Sequence, residues 1–338
     1  MSEPLEETVR SIHARVAVAD GHSDSLMWNR DLNHESDDGH VDFPRLAEAG
    51  VKIQCFPIVT RGLPVIDGFE LFAWKQRWPA HARKGEWNRA LFQLDRLAAF
   101  CRESKGRASI AATPAQLTAN LGEQRLSAIV GVEGGHALQG KPERVKELHE
   151  RGVRFMSLSH LANNELGGTS TPFFGNKPLT TLGHQVVDAM AATKMILDIS
   201  HASPSMLTEL LARNDLRLFC SHSGVQGAHP LWRNLDDATC RAVAERGGVV
   251  GIIFAPQFLG GRTIGHFVRH VQHALDVMGE DGVAFGSDFD GMIPLPRGMR
   301  DVRDLPRLTE ALLRHGLPIR VVEKVVGDNY RRFFTESL

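Results

Sequence analysis

Short apolar runs recur along the chain, and most of them stop on a polar residue. Counted by one rule there are eight: VAVADGH near 16–22, VKIQCFPIV at 51–59, LSAIVGVEG near 126–134, GVRFMSLSH at 152–160, KMILDISH at 194–201, RLFCSH at 217–222, GGVVGIIF at 247–254 and GVAFGSD at 282–288. Near-continuous hydrophobicity over so few residues fits strands covered on both faces, as in a parallel sheet. Between the runs, residues 141–151, 180–193, 203–214, 236–246 and 263–279 carry helical spacing behind plausible caps. Strand alternating with helix predicts parallel pairing through right-handed crossovers, and eight strands suffice to close a barrel. The expected fold is therefore α/β, a TIM-type (β/α)8 barrel forming a single domain over residues 1–338.

Two stretches fall outside that rhythm. Residues 60–125 are too long for a simple crossover, which predicts extra helices between strands 2 and 3. After the eighth strand, residues 304–315 and 318–336 read as two closing helices at the C-terminus. Residues 27–43 are polar and irregular, and the pattern predicts a loop over the pocket mouth.

Five of the runs end on groups that can bind a metal or move a proton: His22 with Asp24, Glu133, His201, His222 and Asp288. In a parallel barrel, carboxyl-end residues of distant strands converge on one site. His22 and Asp24, two apart on an extended segment, point the same way. Glu133 precedes Gly134 and Gly135, which let the backbone turn sharply, and its carboxylate could bridge two metals. His201 and His222 end consecutive strands and so fall on neighbouring staves. Each residue alone has an ordinary structural reading; their joint placement at one kind of position is the signal. Imidazoles with carboxylates suit zinc, with manganese, cobalt or iron possible under the same ligand logic.

Asp288, in GSDFDG, can carry a proton beside a metal-bound water. Asp290 reads as a turn former. His160 ends the fourth run and can donate to charge developing on substrate, and Arg233 can hold a carboxylate bidentately.

Composition narrows the class further. A formal net charge of -1 offers no footprint for nucleic acid. No apolar run approaches the ~20 residues that span a bilayer, so no membrane partner is expected. The amino terminus lacks the basic-then-apolar pattern of a secretion signal, and four dispersed cysteines without a CxxC pair suggest reduced thiols in the cytoplasm.

In order and in local context these segments resemble the renal (membrane) dipeptidase family, zinc dipeptidases of the amidohydrolase type. DGHSD resembles the family's DGHND, VEGGHAL its IEGGHSL, LSHLANN its LTHNxxN and LDISHAS its VDLSHxS. FCSHSG, RNLDD, GSDFDG and GDNYRRFF resemble the remaining blocks, covering about residues 15 to 335. Ser23 stands where the family usually has Asn, and the 27–43 loop matches no family pattern.

The resemblance implies that His22 and Asp24 bind one zinc, His201 and His222 the other, and that Glu133 bridges the two. It further implies substrate contacts from His160 and Arg233, proton transfer by Asp288 and a homodimeric assembly. The implied reaction is hydrolysis of dipeptides, L,L or with a D residue at the carboxyl end, by a hydroxide bridging two Zn2+ ions. The alternative is a related binuclear enzyme acting on another amide, lactone or phosphoester; such enzymes typically begin with HxH and use a modified lysine bridge. Among the other histidines, His136 is the best candidate to support a ligand, because it follows the EGG turn.

Overall fold

The run VKIQCFPIV forms the longest strand, and its register sets the site. In this computed structural model, which describes residues 3–62 and 68–338, nine strands lie in parallel. They are β1 (Val18–Asp20), β2 (Val51–Val59), β3 (Ala108–Ile110), β4 (Leu126–Glu133), β5 (Val153–Ser157), β6 (Ile196–Asp198), β7 (Leu218–Ser223), β8 (Val250–Ile252) and β9 (Val283–Phe285). The order is β1-β2-β4-β5-β6-β7-β8-β9, with β3 beside β4. The Gly21 N–H donates to the Phe285 carbonyl at 2.9 Å, and a parallel bridge joins Ser23 to Phe289, bringing the last stave against the first. The result is a nearly closed eight-stave barrel, as the alternation predicts.

All eight predicted runs contain strands. The unpredicted β3 pairs with Leu126–Ala128 at the start of β4, on the edge that β5 takes over from Val130 onward. Its three residues, one of them polar, are too few to show a period. The same 60–125 segment supplies the expected extra helices, Gly68–Lys75, Ala80–Arg83, Glu86–Glu103 and Pro114–Gly122. Helix starts follow their caps: Thr180, Ser203 and Asp236 each accept a backbone N–H three residues on.

Within β2, Ile53 and Cys55 belong to an inner apolar cluster, whereas Phe56 and Ile58 belong to the outer one beneath the helices. The helix Leu305–Arg314 and the run Ile319–Ser337, which contains a π turn over Lys324–Asp328, form the C-terminal closure. Tyr330, Phe333 and Phe334 enter the inner cluster, and Phe333 stacks on Phe219 with ring centroids 5.4 Å apart. Asn329 donates to the carbonyl of Val283, at the start of β9. This last helix therefore plugs the amino-terminal mouth of the barrel, leaving the carboxyl ends for chemistry.

Above the plug lies a buried polar layer. Asp20 accepts from Gln54 Nε2, Ser287 N and Ser287 Oγ, and burial pushes its carboxyl up to about 6 against those bonds. Asp198 accepts from both the backbone N–H and hydroxyl of Ser200 and of Ser221.

Candidate metal centre

Register delivers Glu133 to the centre. β2 and β4 pair from Ile53↔Ser127 to Val59↔Glu133, so the carboxylate emerges at the carboxyl end of the ladder. Gly134 then turns at a φ of 96°, and a Cβ there would sit about 2.1 Å from the His136 ring; only glycine fits. Glu133 Oε1 lies 3.0 Å from His201 Nε2, 3.5 Å from His222 Nε2 and 3.6 Å from His22 Nε2, and Oε2 lies 3.5 Å from His160 Nε2. Four imidazoles thus face one buried carboxylate.

The remaining members close around it. His22 Nε2 is 3.3 Å from Asp24 Oδ1, as their spacing predicts. His201 and His222, carried by the paired staves β6 and β7, bring their Nε2 atoms within 3.0 Å. Three ligand triples have donor atoms within 4.8 Å of one another: His22, Asp24 and Glu133; Glu133, His201 and His222; and His22, His222 and Asp288. His22 Nε2, Asp24 Oδ1 and Glu133 Oε2 are buried without hydrogen-bond partners. Orphaned donor atoms at such a cost, all aimed at common points, fit divalent cations.

Several of these groups sit past the strand ends rather than on them: His22, His160, His201 and Asp288 follow the last paired residue by two or three positions. His201 and Asp288 adopt left-handed backbone, at φ 65° and 61°. That conformation disfavours side-chain-bearing residues, and its concentration here marks a site the surrounding fold enforces.

Electrostatics sharpen the picture. Burial disfavours charge on His22, but Glu133 and Asp24 outweigh it and hold its pKa well above the ordinary value. Burial likewise opposes ionisation of Glu133, yet His160 and His22 keep its carboxyl well below the usual range. His201 and His222 are pushed well down by burial, helped by Arg233 on the first and His22 on the second. Burial and the charge of Asp24 raise Asp288 well above the carboxylate range, and burial with Glu133 raises Asp24. Neutral His201 and His222, beside Asp24 and Asp288 whose carboxyls resist ionising, form a pocket that a cation relieves.

Around these groups is a cavity of about 600 Å3 whose polar lining includes Asp24, Glu133, His160, His201, His222, Arg233 and Asp288. Its apolar walls include Val59, Phe69, Phe72, Ile253, Phe258 and Met292. Arg233 is buried, donating from one terminal nitrogen to the His222 carbonyl at 2.9 Å while its Nε stays unpartnered.

The predicted loop over the mouth is corrected. From residues 27–43 only Met27 lines this cavity. The loop turns aside because Asp290 anchors it, accepting from Ser25 Oγ, the Arg30 guanidinium and the His40 N–H. Asp290 is therefore more than a turn former. The helix Gly68–Lys75 supplies the wall expected of the loop, through Phe69 and Phe72.

His136 does not support a ligand by hydrogen bonding; its ring lies against Gly134 with Nε2 unpartnered. Ser221, which the sequence reading missed, stands behind two of the imidazoles instead. Ser221 Oγ lies 3.1 Å from His22 Nδ1 and 2.9 Å from His222 Nδ1. Its place directly before His222 was the available signal.

A sequence profile described as membrane dipeptidase (peptidase family M19) matches residues 6–337. An uncharacterized dipeptidase of Schizosaccharomyces pombe is 28% identical, the match covering 95% of this chain and 81% of that protein. Dipeptidase aclJ of Aspergillus oryzae is 27% identical over 97% of this chain and 79% of its own. A metallopeptidase from Rhodobacter sphaeroides, crystallised with a phosphinate mimic of L-Ala-D-Ala, superposes with a TM-score of 0.83 at 26% identity, covering 96% of this chain and 99% of that one. With the family profile spanning nearly the whole length, this chain belongs to the membrane dipeptidase family.

Proposed function

We propose that the protein is a metal-dependent dipeptidase that holds two Zn2+ ions. One observation carries the reading: the Glu133 carboxylate lies within 3.6 Å of four imidazole Nε2 atoms, three of them on one oxygen. His22 and Asp24 would hold one ion and His201 with His222 the other, sharing Glu133. When bound, such ions supply a water of lowered proton affinity and polarise the scissile carbonyl.

The chain's own groups do the rest. Arg233 would take the substrate's terminal carboxylate, which limits the enzyme to short peptides. Asp288, among His22 and His222, would accept the water's proton and pass it to the leaving amine. His160 offers Nε2 toward the reacting carbonyl, but its Nδ1 lies 3.1 Å from the Arg61 carbonyl. With Nδ1–H donating there, Nε2 can donate to an oxyanion only when it too carries a proton. The apolar walls leave room for substrate side chains, and the R. sphaeroides complex makes L,D dipeptides a natural test alongside L,L ones.

Among the described residues no helix is long and apolar enough to cross a membrane. The four cysteines are unpaired, in keeping with a cytoplasmic location, and a homodimer follows from the resemblance to the family. The decisive assay is amine release from L,L and L,D dipeptides by metal-stripped protein, zinc-restored protein and a Glu133→Gln variant. Zinc-dependent cleavage lost in the variant supports the reading; no cleavage of any dipeptide by protein carrying two zincs overturns it.

A further inference from the structure

A single buried hydroxyl touches one histidine from each half of the metal centre. Ser221 Oγ lies 3.1 Å from His22 Nδ1, 2.9 Å from His222 Nδ1 and 2.6 Å from Asp198 Oδ2. A hydroxyl has one proton and two lone pairs. The shortest of the three contacts is to a carboxylate oxygen, an acceptor only, so the proton goes to Asp198. The two lone pairs are then left for the two imidazoles, each of which must present an Nδ1–H. Ser200 Oγ, 3.2 Å away, does not compete, because its own proton goes to Asp198 Oδ1 at 2.7 Å.

We propose that Ser221, oriented by Asp198, is a positioning residue that fixes the tautomer of both His22 and His222. With each proton held on Nδ1, each Nε2 keeps a free lone pair aimed at a metal. One serine thus prepares a ligand for each of the two ions, and coupling between the two sites follows, because neither imidazole can change tautomer without disturbing the hydroxyl that serves the other. This inference rests on the two-zinc reading above and adds a residue to it.

The hydrogen-bond pattern makes Asp198→Asn a directed test. Oδ1 of Asp198 accepts three donors: Ser200 N at 3.0 Å, Ser200 Oγ at 2.7 Å and Ser221 N at 3.0 Å. An asparagine must therefore keep its carbonyl on that side and turn its NH2 toward Ser221. The Ser221 proton, displaced from its acceptor, then goes to one imidazole, whose Nδ1 must be bare and whose Nε2 must carry the proton. That ring is closed to metal while the other stays open.

The experiment is a zinc titration by equilibrium dialysis against chelator-buffered free zinc, with bound metal counted by elemental analysis. It uses the full-length wild type, Ser221→Ala, Ser221→Thr and Asp198→Asn. Removing such a support costs about 10–100-fold in metal affinity. The expected result is that Ser221→Ala weakens both sites by that factor, Ser221→Thr keeps the hydroxyl and restores them, and Asp198→Asn weakens one site and spares the other. Long-range 1H–15N correlation of 15N-histidine-labelled, zinc-loaded wild type is expected to show Nδ1–H with Nε2 on metal for both rings. Wild-type affinity at both sites in Ser221→Ala, or at both sites in Asp198→Asn, overturns the inference. If Ser221→Ala does not fold, the Asp198→Asn titration and the spectrum decide. A wild type that takes up fewer than two zincs at any free concentration sinks the two-zinc reading itself, which the variants' outcomes do not.

Discussion

Replacing Arg233 with lysine keeps a positive charge but removes the planar fork that can grip a carboxylate. Arg233 is 3% exposed, spends one terminal nitrogen on the His222 carbonyl, sits 3.4 Å from Ser223 Oγ with the other, and lines the cavity with an unpartnered Nε. A charge-assisted hydrogen bond to such a group contributes roughly 1.5–3 kcal/mol. At about 1.4 kcal/mol per factor of ten, that is roughly 10–150-fold. The assay compares a dipeptide with its C-terminal amide on wild type and Arg233→Lys, with zinc content checked in both. The wild type should favour the free acid by that factor in kcat/KM, and the variant should lose most of the preference, chiefly through KM. If the variant discriminates acid from amide as the wild type does, Arg233 does not read the carboxylate and the argument from its geometry fails.

Other consequences are open to measurement. Stripping metal with a chelator should lower the Tm by about 4 °C and zinc should restore it, since a ligand at 100 times its Kd adds about 2.7 kcal/mol and, at about 2.1 cal/mol/K per residue, each kcal/mol moves a chain of 338 residues by about 1.4 °C; an unchanged melting curve would contradict the orphaned donors at the centre. Asp290→Asn leaves the Arg30 guanidinium beside a neutral amide in a buried network, so a loss of about 3–5 kcal/mol is expected, with faster proteolysis within residues 28–42 as the discriminating sign. His270 is buried, accepts the Val225 N–H at Nδ1 and has its pKa lowered to about 4 by burial. Between about 6.5 and 4 the unfolded chain binds the proton first, so this residue's contribution is present above pH 6.5 and lost as pH falls toward 4, by up to about 3 kcal/mol. Denaturant titrations across that window should show a flatter slope for His270→Gln than for wild type; identical slopes would refute the assignment.

Much of the site was legible because a parallel barrel converts sequence position into spatial position. Glu133, His201 and His222 lie at strand ends or just beyond them, and β6 beside β7 makes neighbours of two histidines 21 residues apart. The spacing of His22 and Asp24 likewise survived as a direct contact. What failed was the reading of segments whose course depends on partners distant in sequence. The 27–43 stretch carries the polarity of a mouth loop, yet Asp290 draws it aside from 250 residues away through the His40 N–H. Phe69 and Phe72 take its place on the wall, and nothing in FELFAWK distinguishes a pocket wall from ordinary core.

The strand-helix rhythm and the placement of chemically capable residues at strand ends were set by the sequence itself, since backbone period and burial on two faces are local properties. The tautomer support was not. Ser221, Asp198 and His22 come together only when β1, β6 and β7 curve around a common axis, and a serine's proton has no assigned direction until its three partners are in place. The π turn over Lys324–Asp328 and the aromatic plug beneath the site were equally hidden, because they are fixed by how the last helix packs into the barrel mouth. Tertiary structure decided which polar residues converge on the Glu133 carboxylate, which stand behind them, and which close the far end.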